Sequence, residues 1–207
     1  MLVLALDTAT TDLVAGLAEV SDPADPASAT SCEVIAESVT ATRAHNELLV
    51  PTVKQLLQGA GRAFADLDAI VVGCGPGPFT GLRVGMATAS AFGQALGVPV
   101  HGVVTHDAVA ALLDAPSALV VTDARRREVY WARYDAGARV DGPDVVAPAA
   151  LKCPPAASCS VPGQLAEQLP ERLTAQAERV TYQAPTTAGL LAAADPVSYT
   201  HLTLPTN

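Results

Sequence analysis

The sequence predicts an α/β protein built from two similar lobes, each with a mixed sheet and helices. Half of the 207 residues are hydrophobic, mostly Ala, Val and Leu, and only 4% are aromatic, which suits helices packed closely on sheets. The element order βββαβα occurs twice at an offset of about 110 residues, and the apolar run at 2–7, which ends in Asp, returns at 118–123. A duplicated order predicts two lobes with a cleft between them.

The first repeat begins with three strands, predicted at 2–7, 13–20 and 33–40 and joined as an antiparallel meander. Leucines at 48, 49, 56 and 57, with Val53 between them, predict a helix over 42–61. Pro51 falls inside this helix and is expected to kink it or to mark a late start. The rest of this half is predicted as a buried strand at 67–74, a glycine-rich loop at 75–81, a helix at 82–96 and a strand at 98–104.

The second repeat begins at Ala118 and is predicted to follow the same order. Its elements are strands at 118–123, 128–134 and 138–146, a Pro-rich loop at 148–162, a helix at 163–169, a strand at 178–183 and a helix at 186–194. We therefore divide the chain into a first lobe at 1–104 and a second, smaller lobe at 105–196. The last eleven residues, 197–207, contain no Ala and have no amphipathic period, so we expect this tail to be non-native.

The charge balance limits the classes of partner. Twelve Lys and Arg oppose 21 Asp and Glu, which gives a net charge of −9, so the chain as a whole repels phosphate backbones and would reach RNA only through a partner. Four cysteines without C-x-x-C spacing favour reduced thiols in a cytoplasmic protein. The N-terminus lacks a basic segment before its apolar run, and no stretch predicts a membrane span.

The loop Gly75-Pro76-Gly77-Pro78-Phe79-Thr80-Gly81 lies between a strand and a helix, where backbone N–H groups can approach a phosphate. No Lys-Ser/Thr pair follows it, and prolines occupy positions where donors would be needed, so neither common nucleotide-binding pattern is present. The alternative is a rigid turn that lets the next helix pack tightly. Asp7 and Asp123 end equivalent strands and could share Mg²⁺, or each could cap a turn.

Three further features each have two interpretations. His45 would need a second metal ligand one helical turn later, where Leu48 and Leu49 stand instead. The leucine stripe of the 42–61 helix is either core packing or a surface shared with a partner helix. The run Arg125-Arg126-Arg127 is either a solvated turn or a contact for a carboxylate-rich partner or a single phosphate.

Four segments, taken together and in order, resemble the TsaB (YeaZ) family over about residues 1–195: LALDTAT (4–10), AHNELLVPTVKQLL (44–57), GCGPGPFTGLRVGMATASAFGQALGVPV (73–100) and TDARRREVYWARYD (122–135). Members of this family are the dimerisation subunits of the bacterial system that makes N6-threonylcarbamoyladenosine (t6A) in tRNA. The resemblance implies the actin-like ATPase (ASKHA) fold with two ribonuclease-H-like lobes. It also implies a non-catalytic subunit that forms a heterodimer with the catalytic paralogue TsaD and works with the ATPase TsaE.

The resemblance also implies which residues matter. In the catalytic paralogue a helix like 42–61 carries two metal-binding histidines, and the matching positions here are His45 and Leu49, so we expect no catalytic and no metal-ligating residue. The implied partner-binding residues are Leu48, Leu49, Val53, Leu56, Leu57, Leu82, Met86 and Ala87. The implied nucleotide cleft, vestigial in this family, is formed by Asp7, Thr8, Gly75, Gly77 and Gly81, so we expect weak or absent binding of ATP and Mg²⁺.

Further expectations follow for partners and for the C-terminus. A homodimer is possible when the chain is alone, tRNA is reached only through the complex, and no membrane is involved. Family members continue past a helix like 186–194 into a basic stretch, so we expect a truncated second lobe with an exposed apolar patch or cavity near that end. The alternative functions are an actin-like phosphotransferase that uses Mg-ATP and, with less support, a metal-dependent peptidase.

Overall fold

The computed structural model describes residues 1–20 and 31–194. Ten strands are present in this part of the chain: β1 (Leu2–Asp7), β2 (Asp12–Val20), β3 (Cys32–Ala41), β4 (Ala69–Gly73), β5 (Val100–Val103), β6 (Ser117–Arg125), β7 (Glu128–Asp135), β8 (Ala138–Val146), β9 (Ser158–Ser160) and β10 (Arg179–Thr181). The α-helices in the same part are α1 (His45–Gly59), α2 (Phe79–Leu96), α3 (Thr105–Ala110), α4 (Gly163–Ala166), α5 (Glu171–Ala175) and α6 (Thr187–Ala193).

The strands form two five-stranded sheets with one common order. The first sheet is β3-β2-β1-β4-β5, and the second, written from the equivalent edge, is β8-β7-β6-β9-β10. In both, the first three strands are antiparallel and the central strand then pairs in parallel with a later one. The sequence prediction of an α/β fold with two similar mixed sheets is therefore confirmed.

Helices cover both faces of the first sheet. Strand β1 is apolar from Leu2 to Leu6 because it is central and buried on both sides, so its alternate residues enter two separate clusters. One cluster contains Leu4 and Leu6 with the buried residues of α1 and α2. The opposite cluster contains Val3 and Ala5 with Ala108 of α3 and Leu190 of α6.

Helix α3 also covers one face of the second sheet, so it lies between the two lobes. Its Val109 packs with Val120 and Tyr134 of that sheet, whereas the neighbouring Ala108 packs on the first sheet. The other face of the second sheet is covered by the chain between β8 and β10, which contributes Leu151, Cys153, Val161, Leu165, Leu169 and Leu173.

Several predicted elements of the second lobe need correction. The segment 148–162 is not only a loop, because it contains β9, which pairs in parallel with both β6 and β10. The predicted helix at 163–169 is instead a four-residue helix, α4, followed by a separate five-residue helix, α5. Where the first lobe has α1, the second lobe has only a short 3-10 turn at Pro148–Ala150.

The C-terminal helix α6 was expected to belong to the second lobe, yet it packs on the first sheet and on α3. Its Thr187 N–H donates to the Glu37 carboxylate of β3 at 2.6 Å, which fixes the helix to the first lobe. The division into 1–104 and 105–196 remains a prediction. It does not match the packing of α6, which follows residue 104 but covers the first sheet. The predicted tail at 197–207 lies outside the described residues, as does the region where we expected a truncated C-terminal end.

Candidate functional site

The carboxylate of Asp7 is completely buried at the end of β1. Its Oδ1 accepts a hydrogen bond from the Ala9 N–H at 2.7 Å, and its Oδ2 accepts one from the Thr105 hydroxyl, also at 2.7 Å. The same hydroxyl accepts a bond from the Gly75 N–H. Burial is the main reason why the pKa of Asp7 rises from 3.8 to about 6, and these hydrogen bonds oppose that rise. Asp7 thus links β1 to the glycine loop and to α3.

The glycines of the predicted cleft lie against the backbone that follows β1. A Cβ on Gly77 would stand 2.0 Å from the Ala9 carbonyl oxygen, and one on Gly81 would stand 2.4 Å from the Thr8 carbonyl oxygen. The Thr8 hydroxyl in turn donates to the Gly81 carbonyl at 2.7 Å. The sequence permitted either a phosphate cradle or a rigid turn at 75–81, and these contacts explain the glycines by close packing.

The position of Gly75 also requires glycine, because of its backbone conformation. Its φ is +97°, a backbone conformation that residues with a Cβ rarely adopt. The half-buried Leu82 packs against this turn, since its Cδ2 would lie 3.1 Å from a Cβ at Gly75. Leu82, predicted as a partner contact, is therefore partly used in holding the loop on α2.

The second aspartate of the predicted pair has a different environment. Asp123 is exposed, and its Oδ1 accepts a hydrogen bond from the Arg125 N–H at 2.8 Å, which is the turn-capping role considered from the sequence. Asp7 and Asp123 therefore differ in both burial and hydrogen bonding.

Tyrosine side chains join the two lobes across the cleft. The Tyr130 hydroxyl of β7 donates to the Gly77 carbonyl at 3.4 Å, and the Tyr182 hydroxyl donates to the Asp12 carboxylate. Burial and the adjacent Asp12 carboxylate raise the pKa of Tyr182, so it is a neutral donor. These bonds connect the second lobe to the loop before α2 and to the start of β2.

Helix α3 makes a second set of polar contacts to the second sheet. His106 is fully buried, and its Nε2 lies 2.9 Å from the Thr122 hydroxyl. Burial lowers the pKa of His106 to about 3, so the ring is neutral. The neighbouring Asp107 accepts hydrogen bonds from the Tyr134 hydroxyl and from Arg139.

His45 is the first residue of α1, and the residue one helical turn later is not a metal-ligating type. The residue one turn later, Leu49, is fully buried in the core. Burial lowers the pKa of His45. Within the described ranges, no group of three or more His, Cys, Asp or Glu side chains is placed to hold a metal ion.

Helix α1 divides the predicted leucine stripe between core and surface. Leu49, Val53 and Leu57 are buried in the core of the first lobe, and that they also contact a partner stays a prediction. Their spacing of four residues places all three on the face that meets the sheet. Leu48 is 39% exposed and Leu56 is half-buried, and these two remain available on the surface.

Helix α2 presents a second apolar surface beside α1. Met86 is 45% exposed, and Ala87 is also exposed, as the predicted partner contact requires. Phe79 is 66% exposed and carries the Arg83 guanidinium 3.8 Å from its ring centroid. We call the exposed apolar side chains of the two helices the α1/α2 face: Leu48, Val50, Phe79, Met86 and Ala87.

Two members of this face were missed from the sequence, although signals for both exist. The predicted helix began at 82, but Pro78 favours a start directly after it, which places Phe79 in the first turn. Val50 follows two other apolar residues, and three consecutive helical positions cannot all face one sheet.

A groove of about 320 Å³ lies between α1 and strand β3. It is lined by Leu13, Ser38, Thr40, Leu48, Thr52, Gln55 and Leu56.

Comparison with known families gives one extensive match. The family described as "TsaD: tRNA N6-adenosine threonylcarbamoyltransferase" matches residues 33–199. Among individual proteins, an uncharacterized protein of Mycobacterium leprae is 53% identical over 148 residues, which are 71% of this chain and 39% of that protein. An uncharacterized protein of Mycobacterium tuberculosis is 52% identical over 155 residues, which are 74% of this chain and 69% of that protein.

A relative with an assigned role and a solved structure carry the two names of the TsaB (YeaZ) family. The Escherichia coli "tRNA threonylcarbamoyladenosine biosynthesis protein TsaB" is 35% identical over 96 residues, 44% of this chain and 42% of that protein. The solved structure described as "YeaZ from Pseudomonas aeruginosa" has a TM-score of 0.72 and 27% identity, and the match covers 93% of this chain and 89% of that chain. In the described part of the chain, no helix is both long and apolar enough to cross a bilayer.

Proposed function

Because the chain belongs to the family described as TsaD, tRNA N6-adenosine threonylcarbamoyltransferase, and is a TsaB-like (YeaZ-like) protein within it, we propose that it acts as a non-catalytic subunit. In this proposal it forms a heterodimer with a TsaD-like threonylcarbamoyltransferase. The heterodimer supports t6A modification of the adenosine next to the tRNA anticodon. Its place of action is then the cytoplasm, where that tRNA is modified.

The observation that carries this proposal is the α1/α2 face. Two adjoining helices expose large apolar side chains, of which Phe79 is the most exposed. Exposed apolar side chains on neighbouring helices are typical of protein interaction sites, and aromatic and Met side chains are enriched in the cores of such interfaces. The face also contains Leu48, Met86 and Ala87, which are partner-binding residues that the family resemblance implies.

A non-catalytic role is supported by the state of the cleft. The Asp7 carboxylate accepts bonds at both oxygens and has no exposed surface, so it offers no ligand to Mg²⁺ in this conformation. The glycine loop is packed on the chain itself. We therefore propose that the chain binds Mg-ATP weakly or not at all, and the phosphotransferase alternative has less support.

The peptidase alternative also has less support, because the helix position that would supply a second ligand beside His45 is the buried Leu49. We propose that ATP is handled by a TsaE-like ATPase that joins the heterodimer, and that tRNA is bound only within the complex. When the chain is alone, the same α1/α2 face allows a homodimer, since two copies can cover each other's apolar residues.

The test is association of the purified chain with the catalytic paralogue, measured by calorimetry. Met86→Glu and, separately, Leu48→Glu place a charge in the apolar face, and each is expected to weaken binding about 30-fold, the equivalent of about 2 kcal/mol. Thermal melting of each variant verifies that the fold is kept, because both side chains are partly exposed.

A matched control is Val140→Glu on β8, which adds the same charge at an apolar residue that is 53% exposed on the second sheet. Its affinity should equal that of the unsubstituted chain. Absence of any complex with the paralogue, or equal affinities for all three variants, contradicts the proposal.

A further inference from the structure

The turn between β6 and β7 consists of arginines in an unusual backbone conformation. Arg125 and Glu128 are paired across the ladder, so Arg126 and Arg127 form a two-residue turn. The φ angles of Arg125, Arg126 and Arg127 are +61°, +51° and +66°. We call these three residues the arginine turn.

The chain's own stability does not explain arginines at these positions. A two-residue hairpin with positive φ at both central positions strongly prefers Asn-Gly or Asp-Gly, because a Cβ is unfavourable in left-handed backbone. Three adjacent guanidinium groups also repel one another. Residues kept in such a conformation against local preference point to a functional constraint.

The arginines of this turn lack an ion-pair partner within the described part of the chain. None of the three guanidinium groups forms an ion pair there, although Arg62, Arg133 and Arg139 each pair with a carboxylate elsewhere. Three of the twelve basic residues of a chain with net charge −9 are thus concentrated at one exposed hairpin end.

The turn is connected to the edge of the molecule where α2 begins. Tyr130 lies two residues beyond Glu128 on the same strand, and its hydroxyl donates to the Gly77 carbonyl in the loop that precedes α2. Phe79, the first residue of α2 and a member of the α1/α2 face, follows Gly77 by two residues. A partner seated on that face would therefore lie near the arginine turn.

We propose that the arginine turn contacts phosphate groups of the tRNA that the partner presents. This inference rests on the proposed function, since the chain alone repels RNA through its net negative charge. Exposed arginines without partners suit phosphate, which they bind through charge and paired N–H donors. An acidic protein surface is favoured less, because protein interfaces surround arginine with apolar contacts, and the flanking residues are the charged Asp123 and Glu128 and the small Ala124, which offers little apolar surface.

The test replaces the turn by one that the backbone prefers. The double variant Arg126→Asn and Arg127→Gly removes two positive charges and supplies the favoured residues for positive φ, so its melting temperature should rise. The control variant, Lys152→Gln with Arg179→Gln, removes two charges from exposed positions elsewhere on the second lobe. Each chain is first mixed with the catalytic paralogue without RNA, and the complex is then titrated with an unmodified tRNA transcript at several salt concentrations.

We expect the double variant to assemble normally with the paralogue but to bind tRNA about 10- to 30-fold more weakly at 0.15 M salt, with a logarithmic salt slope reduced by about 1.4 to 1.8. The control variant should match the unsubstituted chain. Equal tRNA affinity and equal salt slope for both variants would overturn the proposal. So would weaker assembly of the double variant with unchanged tRNA affinity, because the turn would then be a protein contact. If the unsubstituted chain fails to assemble, the proposed function itself fails, and the first mixing step shows this before any RNA is added.

Discussion

Substitution of Asp7 by Asn tests whether this buried carboxylate is a structural residue. A carboxylate without exposed surface loses the hydration that stabilises its charge, and two hydrogen bonds restore only part of that loss. An Asn can keep the bond from the Ala9 N–H through its oxygen and place its amide beside the Thr105 hydroxyl. The variant removes the buried charge while preserving the shape of the side chain.

The size of the expected stability difference follows from the pKa of Asp7. Because the pKa of Asp7 rises from 3.8 to about 6 on folding, the folded chain binds the proton more tightly than the unfolded chain. This tighter binding stabilises the protonated folded chain by about 3 kcal/mol. This stability is fully present below about pH 4 and is lost as the pH rises through about 6. Between pH 4.5 and pH 7.5 the loss amounts to about 2 kcal/mol.

The assay is urea unfolding of both chains at pH 4.5 and at pH 7.5. The free energy of unfolding of Asp7→Asn minus that of the unsubstituted chain should be about 2 kcal/mol larger, that is, more stabilising, at about pH 7.5 than at about pH 4.5. Other titrating groups are present in both chains and cancel in this difference. Asp123→Asn serves as the control, because it makes the same chemical substitution at an exposed carboxylate. A difference for Asp7→Asn that is independent of pH, or that has the opposite sign, would refute the reasoning.

Three other predictions concern stability. His106→Gln should make the chain less sensitive to acid, because burial lowers the pKa of His106 to about 3 whereas an unfolded His titrates near 6.5. As the pH falls from about 7.5 to about 4.5, the free energy of unfolding of the unsubstituted chain should fall by about 2–3 kcal/mol relative to that of the variant, as measured by urea unfolding. Leu49→Ala should cost about 2–5 kcal/mol and Leu48→Ala less than about 1 kcal/mol, and equal losses would contradict the assignment of one to the core and the other to the surface. Gly77→Ala should lower the melting temperature because its Cβ meets backbone at 2.0 Å, whereas Gly59→Ala, with open space around its Cβ, should keep or raise it.

The repeat could be predicted because both lobes begin with the same kind of strand. The central strands β1 and β6 each contain a continuous apolar run, 2–6 and 118–121, that is buried on both faces, and such a run is a strong signal for a short strand. Strand β9 could not be predicted in this way. It is Ser158-Cys159-Ser160, three residues without an apolar run, and it forms a strand because it is buried between β6 and β10.

The candidate site shows the same limit at the level of single side chains. The sequence identified α1 as important but could not separate Leu49 from Leu48, because adjacent apolar residues fit either face until the sheet's position is known. It also could not place α6 on the first sheet, because the contact depends on residues far apart in the chain, such as Thr187 and Glu37. Periodicity reports that a face is apolar, and only tertiary structure reports what covers it.

The equivalent hairpins of the two lobes show why a duplicated fold does not imply duplicated chemistry. Asp7 and Asp123 both stand at the end of a central strand, and two such carboxylates facing one cleft are what a shared Mg²⁺ would require. Asp7, however, is buried with both oxygens engaged, whereas Asp123 is exposed and caps its own turn. The first hairpin thereby anchors the glycine loop and α3, and the second is left exposed and carries three arginines. This asymmetry favours a chain that holds partners over one that performs phosphotransfer, because the two halves of the cleft no longer present matching ligands.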